Sequence, residues 1–216
     1  MSSAPDWLLQ LVEAVNASDA DAFTPVPLHA DDDPTIRRSA VLVLFGQGEH
    51  GPDVLLQQRS DDLRHHAGQP AFPGGGIDPG DDGPVEAALR EAVEEVGLEP
   101  SGVDVLTLLP QLWLPPSRNL VTPVLAWWRV PSRVEAVDPV EVAAVSRVAI
   151  ADLANPANRV TVKHPLGYAS PAFKVAGMLV WGFTAGVLDR LIKLGGWEQE
   201  WDRESYVPFP IPMQAS

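Results

Sequence analysis

The chain of 216 residues contains no cysteine. Disulfides, thiolate nucleophiles, iron–sulfur clusters and zinc–thiolate sites are thereby excluded. Positive charge is scarce as well, since 15 Lys and Arg stand against 29 Asp and Glu, a formal net charge of −14. A sequence-independent grip on nucleic acid needs clustered cations and is not expected. A phosphate-bearing substrate would need a divalent cation between itself and so acidic a chain. Long apolar runs are also lacking. No stretch approaches the roughly 18 continuous apolar residues of a membrane span, and Met1–Gln10 lacks the basic start and apolar run of a signal peptide. No membrane partner and a cytoplasmic location are therefore expected.

What is present is a folded-domain composition, 45% hydrophobic and 20% charged, with 22 prolines that imply loops of fixed geometry between short elements. Trp7, Leu8, Leu9, Leu11, Val12 and Val15 recur at helical spacing. Their apolar stripe suits either a homodimer contact or packing on the chain's own domain. Ala40–Phe45 and Val54–Arg59 read as strands of a hairpin turning at Gly51-Pro52-Asp53, and Val103–Leu109 and Leu120–Val130 as further strands. Met178–Leu194 reads as an apolar helix stopped by Gly195-Gly196. The Pro-rich stretch after Trp197 disfavours a regular element, though its Trp and Phe side chains can order it by packing. The acidic connector Asp31–Asp33 reads as a solvated loop. The organisation expected is residues 1–34 as helix and connector, 35–196 as the main domain and 197–216 as a tail.

The chemistry concentrates between Pro84 and Gly97, where proline in a first turn and glycine at a stop delimit a helix. At about 100° per residue with Glu91 at zero, Glu94 falls near −60° and Glu95 near +40°, whereas Val85, Leu89, Ala92, Val93 and Val96 gather between about 100° and 200°. The carboxylates share a face, and the apolar residues are expected to face the core. Three carboxylates so close repel one another. Mg²⁺ or Mn²⁺ would offset that, being hard cations that choose carboxylate oxygens. Upstream, Phe72-Pro73-Gly74-Gly75-Gly76 provides glycines that let backbone N–H groups approach an anion. It is neither a Walker loop nor a dinucleotide fingerprint.

The run Gly76-x5-Asp82-x7-Arg90-Glu91-Ala92-Val93-Glu94-Glu95-Val96-Gly97-Leu98 resembles the Nudix box, with Asp82 in place of a glutamate and Ala92 in place of a bulky aliphatic. An adjoining run, Leu55-Leu56-Gln57-Gln58-Arg59-Ser60-x3-Arg64-x3-Gly68-x3-Phe72-Pro73-Gly74-Gly75, is similar to the extra signature of the coenzyme A pyrophosphatase branch, Gln57 standing where threonine is usual. Val121-Thr122-Pro123 and Val180–Gly186 also look like segments of that branch, so the resemblance runs from about residue 38 to about 190.

The resemblance implies an α/β class fold, an α/β/α sandwich around a mixed sheet with the box as a loop-helix-loop. It implies Glu91 and Glu95 as ligands of Mg²⁺ or Mn²⁺, Glu94 as a further ligand or neighbour, and Arg90 as the residue that holds the carboxylates. Glu141 is the candidate for a glutamate beyond the box, with Glu135 as the alternative. Glu94 and Glu141 are both open as the proton acceptor, and Gly74, Gly75, Gly76, Arg59 and Arg64 as substrate contacts. The implied activity splits the diphosphate of coenzyme A or acyl-CoA into 3′,5′-ADP and the 4′-phosphopantetheine product. The alternatives are another nucleoside diphosphate derivative, such as ADP-ribose or NADH, and a catalytically silent nucleotide-binding regulator. His65, His66 and His164 read as structural or solvent-exposed, and Trp127 and Trp128 as alternating across a strand.

Overall fold

A hairpin and the place where its strands part organise the molecule. The structure, a computed structural model, describes residues 4–18, 23, 35–61, 68–165 and 167–210. In chain order it comprises α1 (Asp6–Asn16), β1 (Arg37–Gly48), β2 (Gly51–Arg59), β3 (Pro70–Ala71), β4 (Gly74–Gly76), α2 (Pro84–Val96), β5 (Val103–Leu108), β6 (Leu112–Leu114), β7 (Asn119–Trp128), β8 (Val142–Ala149), α3 (Ile150–Ala154), β9 (Arg159–Lys163), β10 (Ala169–Val175), β11 (Met178–Val180), α4 (Gly182–Leu194) and β12 (Tyr206–Pro208). The hairpin turns at Glu49-His50, so Gly51, Pro52 and Asp53 belong to β2 and not to the turn the sequence predicts.

β1 and β2 pair only from Phe45↔Val54 to Gly48↔Gly51. Beyond that they diverge, and the chain from 70 to 76 enters the opening. It pairs first with β2 through Gln57↔Ala71 and then with β1 through Ala40↔Gly75. β7 runs parallel to β1 on its other side, β5 and β6 flank β7, and β8 covers the outer edge of β2, so the main sheet is mixed.

Alternation along the strands builds a core on each face. Ala40, Leu42 and Leu44 of β1, Leu55 of β2 and Val124, Ala126 and Trp128 of β7 pack under α2. Val43, Phe45, Val54, Leu56, Leu125 and Trp127 pack on the opposite face with α1 and α4. This is the α/β/α sandwich. Leu8, Leu11 and Val15 of α1 are buried in it, and Trp7 sets its ring edge-on to Phe45, Trp127 and Trp197. The stripe of α1 is thus covered by its own domain. No helix among the described residues is long and apolar enough to cross a membrane.

A smaller sheet, ordered β11-β10-β9-β12, closes the α4 side. The strand β11 occupies Met178–Val180, so the helix expected from Met178 begins only at Gly182. The Pro-rich tail does form an element. Tyr206–Pro208 pairs in parallel with β9, an edge position where proline's missing donor is tolerated. The tail is anchored by Arg159 of β9, which is buried, ion-paired to Asp189 of α4, and lies 4.6 Å over the Trp201 ring and 5.0 Å over Phe173.

Candidate functional site

α2 has the boundaries its punctuation predicts. Pro84 opens it, and Gly97 closes it in the left-handed conformation while Leu98 N–H returns to Ala92 O at 3.2 Å. Its rotation is a correction to the sequence reading. The buried positions are Ala87, Ala88, Ala92, Glu95 and Val96, whereas Val93 is 39% exposed and Val85 and Leu89 are only half-buried. The helix is turned by roughly 90° from its expected apolar face, judged at 100° per residue. Three alanines without bulk seat it close to the sheet. That places Glu95 in the interior and Glu91 at its margin.

The opening between β1 and β2 receives these carboxylates. Glu95 is 4% exposed. Its Oε2 accepts Gln57 Nε2–H at 2.7 Å and the Gly74 N–H at 2.8 Å, and its Oε1 faces Arg59 Nη1 at 3.4 Å. Gln57 and Arg59 follow Leu55 on the α2 face of β2, because alternate residues of a strand share a face. The Glu91 carboxylate lies against Gly75 so closely that any Cβ there would collide with it. At Gly74 a Cβ would strike the Ala40 carbonyl and the Val41 backbone. Glycine is required at Gly74 for the chain to thread past the β1 backbone, whereas at Gly75 it leaves room for the Glu91 carboxylate.

Arg90 ties the outer carboxylates together. Its Nε and Nη2 donate to the two oxygens of Asp81 at 3.0 and 3.1 Å, Nη1 to Glu91 at 3.0 Å and Glu94 at 3.2 Å, and Nη2 also to Gly76 O at 3.0 Å. The fork on Asp81 lowers that carboxyl's pKa and raises that of the guanidinium. Asp82, which occupies the box position, is exposed and turns its N–H to Glu86 instead.

Burial pushes the Glu95 carboxyl up to about 7, against the downward pull of Gly74, Gln57 and Arg59. Burial also raises Glu91, with Arg90 opposing. Two neighbouring carboxylates are thus desolvated beyond what the protein's own donors and cations offset. A divalent cation fits that deficit and that all-oxygen donor set. Among the described residues no three His, Asp or Glu side chains are grouped closely enough to hold an ion alone. The residues fit an ion bound by Glu91 and Glu95, with water or phosphate oxygens completing its shell.

The other expected residues are distributed as follows. Glu94 is exposed beside Arg90. Glu141 is exposed at the entry to β8, where its carbonyl accepts the Ser60 N–H at 2.9 Å, next in chain to Arg59. Glu135 pairs with Arg133 at 2.6 Å, and its N–H caps Val96 O at the far end of α2. Arg64, His65, His66 and Asp31–Asp33 lie outside the described residues. His164 stacks on Tyr168 in the small-sheet region. Trp127 and Trp128 are buried on opposite faces of the sheet.

Sequence reasoning assigned no role to Gln57 or Asp81. The period-two face of β2 carries a signal for Gln57, since any helix residue that meets Arg59 passes Gln57. For Asp81 the signal is the turn Asp78-Pro79-Gly80-Asp81, closed by Asp81 N–H to Asp78 O at 3.0 Å, which folds its carboxylate back.

Over 74 residues, 34% of this chain, the sequence is 51% identical to the uncharacterized Nudix hydrolase NudL of Escherichia coli (strain K12). The same holds for the Escherichia fergusonii protein of that name. The match spans only 38% of the length of either relative. The fold is similar to that of the Nudix hydrolase RenU of M. smegmatis, with a TM-score of 0.53 at 22% identity over 77% of this chain and 90% of that one. The family model described as the NUDIX domain matches residues 35–166, more than half of the chain. Strand pairing, glycine segment and acidic helix all fall within that span, and the chain belongs to the NUDIX domain family.

Proposed function

We propose that this protein hydrolyses the diphosphate linkage of a nucleoside diphosphate derivative with the help of Mg²⁺ or Mn²⁺, and that coenzyme A or an acyl-CoA is its substrate. The observation that carries the reading is the convergence of Glu91 and Glu95 on Gly74 and Gly75. The coenzyme A preference is supported by the run from Leu55 to Gly75, whose Arg59 and Gly74 both reach Glu95. In this reading residues 35–196 form the hydrolase unit, with 1–34 and 197–216 as flanks.

A bound cation would neutralise the diphosphate oxygens and lower the pKa of a bound water. The chain's own groups do the rest. Glu91 and Glu95 would hold the ion, and Arg90 keeps Glu91 and Glu94 oriented while Asp81 balances its charge. Arg59, 27% exposed, offers a cation to the substrate phosphate. The attacking water's oxygen joins one phosphorus, the bridging P–O bond breaks, and two phosphomonoesters leave, 3′,5′-ADP and (acyl-)4′-phosphopantetheine. The exposed carboxylates Glu94 and Glu141 are the two groups available to take the proton.

The test is product identification after incubating the protein with coenzyme A, ADP-ribose and NADH in Mg²⁺ or Mn²⁺, with Glu95→Gln as the blank. Appearance of 3′,5′-ADP with the unmodified protein alone supports the reading. Preferential cleavage of ADP-ribose or NADH keeps the hydrolase and removes the coenzyme A assignment. Nucleotide binding without turnover of any of the three overturns both and leaves a binding domain.

A further inference from the structure

We propose that Gln57 is a positioning residue for Glu95 and that it sets the protein's affinity for its divalent cation. The inference rests on the metal-dependent reading above. Gln57 is fully buried on β2, with zero exposure. Its side chain makes one hydrogen bond among the described residues, from Nε2 to Glu95 Oε2 at 2.7 Å, while its Oε1 is buried without a partner. A buried amide with half its capacity unused is not placed there to satisfy itself. Its one bond is spent on a carboxylate that the site needs.

The bond has two consequences for the ion. Gln57 and the Gly74 N–H saturate the same oxygen, Oε2, from opposite elements, β2 and β4. This fixes the rotation of the Glu95 carboxylate and turns Oε1 toward Arg59, the 27%-exposed side chain that leads out of the interior. Secondly, an amide holds the carboxylate without cancelling its charge. A lysine or arginine at position 57 would neutralise it, and an aliphatic residue would leave Oε2 with the Gly74 N–H alone. Toward the ionised carboxylate that a cation would bind, the amide turns its nitrogen, since that carboxylate only accepts.

Threonine, which the resembled branch signature carries at this position, bears its hydroxyl on Cβ, two bonds short of the nitrogen of glutamine. From the same backbone position it cannot span to Glu95 as Gln57 does. The departure from that signature is therefore a different way of supporting the ion's ligand.

The experiment compares Gln57→Met, nearly isosteric but without a donor, and Gln57→Asn, which withdraws the amide by one methylene, with the unmodified protein. Mn²⁺ affinity is measured in the absence of substrate, from the EPR signal of free Mn²⁺ and by calorimetry. Circular dichroism and thermal unfolding in chelator establish that each variant is folded. Both variants are expected to bind Mn²⁺ about tenfold or more weakly, the usual effect of removing a ligand's hydrogen-bond partner. With coenzyme A, kcat should recover at saturating Mn²⁺. Affinities indistinguishable from the unmodified protein in either folded variant overturn the inference while leaving the metal-dependent reading intact. Absence of Mn²⁺ binding by the unmodified protein overturns that reading and the inference with it. Should Gln57→Met fail to fold, Gln57→Asn decides on the same criterion.

Discussion

Raising the pH should destabilise the metal-free protein, and Glu95→Gln should abolish most of that dependence. The folded-state pKa of Glu95 is pushed up to about 7 from an ordinary 4.5, chiefly by burial. Between those values the folded state retains a proton that the unfolded chain has released, so unfolding releases it and stability falls as pH rises. Below 4.5 both states are protonated, and above about 7 both are ionised. The window is therefore bounded by these two values. At 1.36 kcal/mol per pH unit the loss across it is roughly 3 kcal/mol. Urea unfolding in EDTA from pH 4.5 to pH 8 measures it, and with a slope near 3 kcal/mol per molar the midpoint should drop by about 1 M. Glu91 contributes in the same direction, whereas Asp81, lowered from its ordinary 3.8, acts only below this range. Both remain in Glu95→Gln, so the difference between the two proteins isolates position 95. Parallel pH profiles for the two proteins would refute the argument that burial is what perturbs this carboxyl. Saturating Mg²⁺ should flatten the profile of the unmodified protein, because an ion bound only to the folded state restores stability where Glu95 is charged.

Three further outcomes follow from the same geometry. Gly75→Ala places a Cβ into the Glu91 carboxylate and should weaken Mn²⁺ binding about tenfold, by calorimetry, with circular dichroism unchanged. Arg90→Lys gives up the two-pronged contact with Asp81 and cannot reach Glu91, Glu94 and Gly76 together. Its kcat/KM for coenzyme A should fall about 10- to 100-fold in a phosphopantetheine-release assay. Arg159→Ala leaves Asp189 with Lys193 and removes the buried one of two guanidinium groups over Trp201, the other being that of Arg203, so stability should fall by about 3 kcal/mol in thermal denaturation and the chain beyond Trp197 should become sensitive to protease.

The sequence disclosed the ends of α2 because Pro84 and Gly97 are local signals that no tertiary contact has to confirm. It did not disclose the helix's rotation. Counting apolar residues assigns Val85, Leu89 and Val93 to the core, yet the sheet takes the face of Ala87, Ala88, Ala92 and Val96, leaving Val85 and Leu89 packed at its margin and Val93 exposed. Glu95 was legible as one of an acidic set, but its burial depends on Gln57 and Gly74, which come from two other strands. Asp81 and Asp82 are indistinguishable by composition, and only the turn closed at Asp78 separates them. β8 was missed because two successive small residues, Ala143 and Ala144, are both exposed and the strand shows no clean alternation. β12 was missed because prolines conceal a strand that needs only an edge.

The alanine face of α2 also determines how far the site can tolerate change elsewhere. Ala87, Ala88 and Ala92 share one cluster with Leu42, Leu44 and the large indole of Trp128, so the gap between helix and sheet is a dimension of the core. At that gap the hydrogen bonds at Glu95 close at 2.7 and 2.8 Å, and a wider one would lengthen them or force another rotamer. Drift in the core beneath α2 is therefore coupled to the chemistry above it. Mutations there that preserve a folded, thermally stable protein can still leave it inactive, and second-site suppressors of such mutations should map to the opposing strands β1 and β7 before they map to the carboxylates.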